Sequence, residues 1–414
     1  MQTLSLFILI LLFGYLGTAT VLRKISNKNY FPSGAEYVIL GLLLSPSFFQ
    51  LFSEYLPNTS LTTHHSDLLL NLSPVVSSIT GFIGLYYGLQ FSLVELLKTN
   101  REGVRVAIYD SISGAILSGG TIYLVLIYLY TGSLDSYSTI MVSAALGIIS
   151  SVSTPYILQK FSSENSLNGK LTRSMLTATK FSKFFAILLF GSLFPIYQAS
   201  TQSGFQLTST EFLVVSFGIS VAIGVLFFMF LGREMSPQKI IAGVFGVTLL
   251  GSGIGYFLGL SPLFLCFIIG ALVGNISKMR DEIIGSLNGF IQPLSIVVVV
   301  YAGMLIALPS DSREWIMILA FPVVKFLIKY LTHKIAVNAA FERDSVNEKQ
   351  FVLFLGSDVL IFAMLINYVS IIHNSLNPVV VISVIIMALL YNTGSGYLTK
   401  RFLVETDEIR GELK

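Results

Sequence analysis

Six charged residues lie inside apolar stretches of this sequence, at positions where a side chain could bind an ion or carry a proton. A charge in hydrocarbon is costly, and it is retained only with a partner, a water-filled cavity or a function. We therefore take these residues as candidates for a functional site. They are Lys180, Lys183, Lys325, Lys329, Asp110 and Asp358.

The lysines form two pairs whose spacing places each pair on one helix face. Lys180 and Lys183 are three positions apart, and Lys325 and Lys329 are four apart. Four cations face only two anions, so the interior carries excess positive charge if every group is ionised. Burial favours the neutral form of an amine. Either each aspartate pairs with a lysine and the remaining lysines give up protons near neutral pH, or a bound anion completes the charge balance.

Each charged residue also has a structural explanation. A lysine can extend its side chain to the membrane interface, which we expect most for Lys180, Lys325 and Lys329 and least for Lys183. Asp110 follows a basic loop closely enough to be hydrated at the membrane surface. These explanations place the side chains at the interface and away from any ion site.

The composition is that of a membrane protein. Of the 414 residues, 54% are hydrophobic and only 11% are charged, with a mean hydropathy of +0.79. A soluble domain carries about a quarter charged residues. We therefore expect one transmembrane domain over 1–398, a short cytoplasmic tail over 399–414, and no separate soluble domain.

Enzyme chemistry and metal binding find no support in the sequence. The single cysteine, Cys266, excludes a disulfide framework and a cysteine metal site. No phosphate loop or nucleophile constellation occurs. The histidines are expected in loops or at helix ends, without the spacing of metal ligands. We expect a non-enzymatic protein with no cofactor and no nucleic acid partner. The histidines are His64, His65, His333 and His373.

Thirteen apolar stretches predict transmembrane helices, and the loops between them sort the positive charge. Apart from Arg313 and the four interior lysines, the lysine and arginine residues fall on alternate loops, which is the positive-inside pattern. The pattern predicts a plasma (inner) membrane protein with its N-terminus outside and its C-terminus in the cytoplasm. The stretches are 3–22, 34–52, 73–92, 105–130, 139–158, 172–197, 211–231, 239–258, 262–276, 287–308, 314–334, 350–372 and 378–398.

Two of these stretches are predicted to be broken helices. The twelfth contains Gly356, Ser357 and Asp358, and the fifth contains a polar cluster that ends in a proline, which removes a backbone donor. Interrupted spans at matching positions of two halves indicate a transporter site. The fifth and twelfth match if 1–197 and 239–398 are inverted repeats joined by a linker helix at 211–231. The polar cluster comprises Ser150, Ser151, Ser153, Thr154 and Pro155.

Several segments resemble the monovalent cation:proton antiporter superfamily, in particular its potassium-efflux and sodium/proton exchanger branch. The segment from Leu258 to Gly274, which begins Leu-Gly-Leu-Ser-Pro, is similar to a conserved pattern of that family. The segments Gly34–Pro46, Gly84–Leu93 and Ser150–Pro155 are similar to others, and the likeness covers most of the chain. The resemblance implies a sodium/proton antiporter-like fold, monovalent cation and proton as partners in the lipid bilayer, and a homodimer.

The resemblance fails at one position that matters for function. Members of the superfamily carry an aspartate on the sixth span that binds the ion and the proton in turn, and here Lys183 occupies that place. Lys325 or Lys329 corresponds to the basic residue of the eleventh span. Asp358 lies where many relatives have a glutamate.

Three functions remain open from these residues. In the first, Asp358 or Asp110 binds Na⁺ or K⁺ and a lysine supplies the proton coupling. In the second, the lysine-rich cavity binds an anion. In the third, salt bridges such as Lys183–Asp110 or Lys183–Asp358 lock the core, and the protein does not transport.

Overall fold

Helices make up the secondary structure of the described chain. The computed structural model describes residues 34–45, 47–48, 65–98, 101–130, 135–154, 170–200, 208–231, 237–309, 311–340 and 355–405, and no strand occurs in these ranges. The first predicted stretch, 3–22, lies outside them. The helices are α1 (Ala35–Leu43), α2 (His65–Gln90), α3 (Leu93–Lys98), α4 (Arg101–Leu129), α5 (Ser136–Ser151), α6 (Lys170–Ser200), α7 (Ser209–Leu231), α8 (Pro237–Leu258), α9 (Pro262–Ile276), α10 (Arg280–Met304), α11 (Ser312–Ala340), α12 (Val359–Ile371) and α13 (Asn377–Glu405).

Several of these helices have the length and composition of membrane spans. Within the described ranges, 7 helices are long and apolar enough to cross a bilayer, since about 20 residues at ~1.5 Å each cover ~30 Å of hydrocarbon. Shorter apolar helices include α5, α9 and α12. The prediction of an all-α integral membrane protein is confirmed.

Within the described residues, helix α5 ends and helix α12 begins at the two predicted helix breaks. Helix α5 ends at Ser151, and residues 152–154 are not helical, although the sequence predicted a helix to residue 158. Helix α12 begins at Val359, and residues 355–358 are not helical, although a helix was predicted from residue 350. The broken helices α5 and α12 contact each other.

Polar side chains explain where helix α5 ends and where helix α12 begins. The hydroxyl groups of Ser150 and Ser151 donate to the backbone carbonyls of Gly147 and Ile148, each at 2.8 Å. Such bonds compete with the regular helix pattern. At the other break, the carboxylate of Asp358 accepts the backbone N–H of Leu360 at 3.1 Å and caps the start of α12.

The tightest helix packing in the described residues joins α2 to α9. A Cβ atom added to Gly84 would overlap the backbone oxygen of Leu263, and one added to Gly88 would overlap that of Phe267. Glycine therefore lets these two backbones approach directly, as small residues do in membranes. This contact fixes the C-terminal half of α2, which carries Tyr87.

The two broken helices pack against different sets of helices, and α4 holds α5. Helix α4 packs against α5, α6 and α11, while α12 packs against α2, α10 and α13. A hydrophobic core between them includes Ile187, Phe190 and Phe194 of α6, all fully buried. These packed helices hold the interior charges in place.

The structure corrects two further expectations. Helix α11 continues to Ala340, beyond the predicted end at residue 334, so His333 is buried inside the helix with 2% of its surface exposed. The prediction that every histidine lies in a loop or at a helix end is wrong for His333. His64 lies outside the described residues.

Candidate functional site

Lys183 and Asp358 form an ion pair between α6 and the start of α12. The Lys183 Nζ atom lies 2.5 Å from the Asp358 Oδ2 atom. Lys183 projects from an unbroken helix, whereas Asp358 lies on the non-helical segment that precedes α12. Lys183 therefore has a carboxylate partner from a distant part of the chain.

Tyr87 completes this group from a third helix, α2. Its hydroxyl donates to the Asp358 Oδ2 atom at 2.9 Å, and the Lys183 Nζ atom lies 4.9 Å from the centre of its ring. The hydroxyl stabilises the carboxylate and the face of the ring stabilises the ammonium. A single side chain thus supports both charges of the pair.

A cavity of about 60 Å³ opens next to this pair. Lys180, Lys183, Tyr87 and Gln90 supply its polar lining, and Phe184 is among its aromatic walls. Lys183 lines this cavity, and the side chains of Lys183 and Asp358 are 12% and 14% exposed, so the ion pair is partly accessible to water. Both lysines of the predicted α6 pair face this one cavity.

Asp110 and Lys329 form a second ion pair, which is closed to water. The Lys329 Nζ atom lies 2.6 Å from the Asp110 Oδ2 atom and 3.0 Å from the backbone oxygen of Ser151. The side chain of Lys329 is 2% exposed and that of Asp110 is 0% exposed. The expectations that Lys329 reaches the interface and that Asp110 is hydrated are wrong.

Hydroxyl groups satisfy the rest of the Asp110 carboxylate. Ser153 donates to its Oδ2 atom at 3.2 Å, and Thr332 donates to its Oδ1 atom at 3.1 Å. Ser153 belongs to the break after α5, and Thr332 lies one turn after Lys329 on α11. A buried charge needs such hydrogen bonds in addition to its counterion, so this group has the properties of a structural lock.

Lys325 is the third interior lysine. It is 1% exposed, and its Nζ atom has no hydrogen-bond partner among the described residues. The Nζ atom lies 5.3 Å from the centre of the Tyr391 ring. The structure therefore contradicts the expectation that Lys325 extends to the interface. Lys180, in contrast, is exposed.

The predicted polar lining has several roles. Ser150 and Ser151 bond to their own helix, and Ser153 bonds to Asp110. The hydroxyls of Thr154 and Ser357 are buried and have no partner among the described residues. The backbone N–H of Ser357 donates to Asn392 of α13 at 2.9 Å. Pro155 lies outside the described residues.

Sequence reasoning missed Tyr87, Thr332 and Asn392. Thr332 follows Lys329 by three positions, so helical spacing could have shown that it faces the same partner. Tyr87 and Asn392 carry no comparable signal, because an aromatic residue or an amide in an apolar helix is usually part of the packing. Only the assembled bundle identifies their partners.

Comparison with known proteins agrees with this architecture. No curated protein matches the sequence at a significant level. Two solved structures of the sodium proton antiporter MjNhaP1 from Methanocaldococcus jannaschii share the fold. The one at pH 8 has a TM-score of 0.66 and 15% identity, covering 97% of this chain and 99% of that chain. The one from an electron-microscopy map has a TM-score of 0.65 and 16% identity, covering 100% and 99%.

The family comparison covers nearly the whole chain. The transmembrane sodium/hydrogen exchanger family model matches residues 8–404. The match agrees with the helical bundle. The chain belongs to the sodium/hydrogen exchanger family.

Proposed function

We propose that this protein exchanges Na⁺ or K⁺ for protons at the Lys183–Asp358 pair. The observation that carries the proposal is the position of this pair, at a helix break and beside a water-accessible cavity. Membership of the exchanger family supports cation and proton as the exchanged species. The protein acts in the cell membrane, with its N-terminus outside and its single transporter domain spanning 1–398.

The chemistry follows from competition for one carboxylate. In the resting pair, the ammonium of Lys183 neutralises Asp358. When a cation takes the place of the ammonium beside the Asp358 oxygens, the lysine loses a proton to water in the cavity. The charge of the site stays constant, since one positive charge enters as the cation and one leaves as the proton. A proton returning to Lys183 reverses the step and releases the cation.

The two ion pairs differ in the property that this mechanism requires. Exchange needs water, cation and proton to reach the pair, and Lys183 and Asp358 are partly exposed. Asp110 and Lys329 are almost fully buried, and each makes further hydrogen bonds besides the ion pair. We assign Asp358 and Lys183 to ion exchange, and Asp110 and Lys329 to holding α4 against α11.

The test is flux in proteoliposomes loaded with a proton-sensitive dye. An outward Na⁺ or K⁺ gradient should drive proton movement in the wild-type protein, and Asp358→Asn should abolish it. Lys180→Met is the matched control, because Lys180 lies one turn away on α6 and lines the same cavity. The proposal fails if no cation-dependent proton movement occurs, or if Asp358→Asn transports like the wild type.

One observation favours a second candidate, anion transport. The Nζ atom of Lys325 has no hydrogen-bond partner among the described residues, and in its protonated form Lys325 adds one interior cation to the two paired lysines of that part of the chain. An anion beside it would balance the charge. Under this function, chloride or another small anion would move in the same liposomes without Na⁺ or K⁺, and Lys325→Met would stop it.

A further inference from the structure

The end of helix α2 lies beside the cavity of the Lys183–Asp358 pair, and side chains from a distant part of the chain hold it. Helix α2 ends at Gln90, and residues 91 and 92 are not helical before α3 begins. The last carbonyls of a helix have no partner within that helix. In a membrane protein these carbonyls need donors from other residues, because hydrocarbon supplies none.

Arg280, the first residue of α10, binds two of these carbonyls. Its Nε atom donates to the backbone oxygen of Leu89 at 2.8 Å, and its Nη2 atom donates to that of Gln90 at 3.0 Å. A positive charge destabilises the start of a helix and stabilises the end of one, because of the helix dipole. The position of Arg280 is therefore explained by its bonds to the end of α2 and not by its own helix.

Asn275, in the last turn of α9, binds the backbone where α2 gives way to α3. Its Nδ2 atom donates to the backbone oxygen of Phe91 at 3.0 Å, and its Oδ1 atom accepts the backbone N–H of Leu93 at 2.7 Å. One amide thus holds both sides of the break. Asn275 and Arg280 together fix the backbone of residues 89–93, which we call the wall segment.

The wall segment forms one side of the cavity. Gln90, Phe91 and Ser92 line it together with Lys183 and Phe184 of α6. The Phe91 ring stacks on the Phe184 ring, with the centroids 4.0 Å apart and the planes inclined by 10°. Phe184 directly follows Lys183 in the chain. The position of the wall segment therefore determines the width of the cavity beside the lysine.

The wall segment also follows directly on the helix turn that carries Tyr87. Tyr87 lies two positions before Leu89, and its hydroxyl donates to the Asp358 carboxylate at 2.9 Å. Helix ends that lack partners fray. Without the two side chains that bind it, the end of α2 would no longer hold the cavity wall and this hydrogen bond in one position.

We propose that Asn275 and Arg280 are positioning residues of the exchange site, which act through the wall segment and not by touching the ion. Among the described residues, the cavity lining includes neither of them. The inference rests on the proposed function, because it assigns a role in exchange to residues that lie behind the wall.

Flux in proteoliposomes tests this role. In Arg280→Gln the cation concentration at half-maximal flux should rise several-fold, while the maximal rate per folded protein changes little, because the site is present but held less firmly. Lys278→Gln is the matched control, since Lys278 is an exposed cation in the same connection between α9 and α10. A purely structural role would lower the amount of folded protein and leave the half-maximal concentration unchanged, which would overturn the proposal.

A thiol probe tests the positioning without transport. The single cysteine of the chain, Cys266, is buried. Ser92 lines the cavity and is 8% exposed, so the thiol introduced by Ser92→Cys should react slowly with a water-soluble methanethiosulfonate. Adding Arg280→Gln or Asn275→Ala should raise the rate several-fold, and adding Lys278→Gln should not.

The outcomes of the two measurements are separate. Unchanged thiol rates in the folded Arg280→Gln and Asn275→Ala variants would overturn the proposal. If Arg280→Gln does not fold, Arg280→Lys replaces it, because it keeps the charge at the end of α2 but loses the planar fork that binds two carbonyls. If the wild type moves neither cation nor proton, the proposed exchange fails and the role in exchange fails with it, whereas the thiol rates still decide whether the two residues hold the wall segment.

Discussion

Lys183 and Asp358 are 175 positions apart in the chain and 2.5 Å apart in the structure. The two residues come from an unbroken helix and from a helix break, and Tyr87 of a third helix contacts both. A pair held by three helices responds to any movement among them. Such a pair can therefore couple the occupancy of the site to the arrangement of the bundle.

Lys183→Asp should convert the pair into a site with two carboxylates. If the protein exchanges cations, this variant should retain cation-dependent proton flux, because two adjacent carboxylates can bind a cation and take up a proton in place of Lys183 when the cation leaves. If it carries anions, the variant should stop anion flux, because a positive group becomes negative. Liposome flux measured with cation and anion gradients separates the two results. Lys180→Asp serves as the control on the same helix.

Tyr87→Phe should weaken cation binding while the protein stays folded. The variant keeps the ring beside Lys183 but loses the hydrogen bond to Asp358. A hydrogen bond to a charged group is worth about 1.5–3 kcal/mol, so the cation concentration at half-maximal flux should rise about tenfold or more. Tyr86→Phe is the control, because the Tyr86 hydroxyl bonds to Asn288 instead. An unchanged concentration dependence would exclude the role given to Tyr87.

Asp110→Asn should destabilise the protein strongly. It leaves the ammonium of Lys329 buried without its counterion, and breaking a buried pair in this way costs about 3–5 kcal/mol. Asp110→Asn/Lys329→Met should recover much of that loss, since both charges are then gone. Thermal unfolding in detergent measures both effects. A single variant as stable as the wild type would show that the pair is not a structural lock.

Gly88→Ala should lower both stability and exchange. Its methyl group would overlap the backbone oxygen of Phe267 and push α2 away from α9, displacing the neighbouring Tyr87. Gly246→Ala is the control, because no atom lies within 4 Å of the added Cβ there. The melting temperature and the flux should fall in the first variant only. If Gly88→Ala melts like Gly246→Ala, the close approach of α2 and α9 is not required.

The sequence was sufficient for most helices of the described residues and for the positions of the two breaks, because hydropathy and helix-breaking residues act locally. Ser150, Ser151 and Asp358 end or begin helices through bonds to their own segments. The pairing of charges was a different problem. The spacing of Lys183 left Asp110 and Asp358 equally available as partners, and only the arrangement of the helices decides between them.

The burial of single residues was the hardest property to predict. Lys329 and His333 lie near a predicted helix end, so the sequence placed them at the surface. Helix α11 in fact continues to Ala340 and carries both into the interior. Asp110 lies near the start of a predicted span, so the sequence placed it near the membrane surface as well, whereas it is fully buried inside α4. When a helix is longer than the bilayer is thick, hydropathy does not show which of its residues lie at the centre of the bilayer.

The pair of Asp110 and Lys329 has a consequence for motion. Separating two charges in a region that water does not enter would cost far more than thermal energy supplies. The bond from Lys329 to the Ser151 oxygen and the bond from Ser153 to Asp110 extend this connection to the end of α5. Helices α4 and α11 and the end of α5 must then move as one rigid body. Conformational change in this protein therefore has to occur where this rigid body meets the other helices.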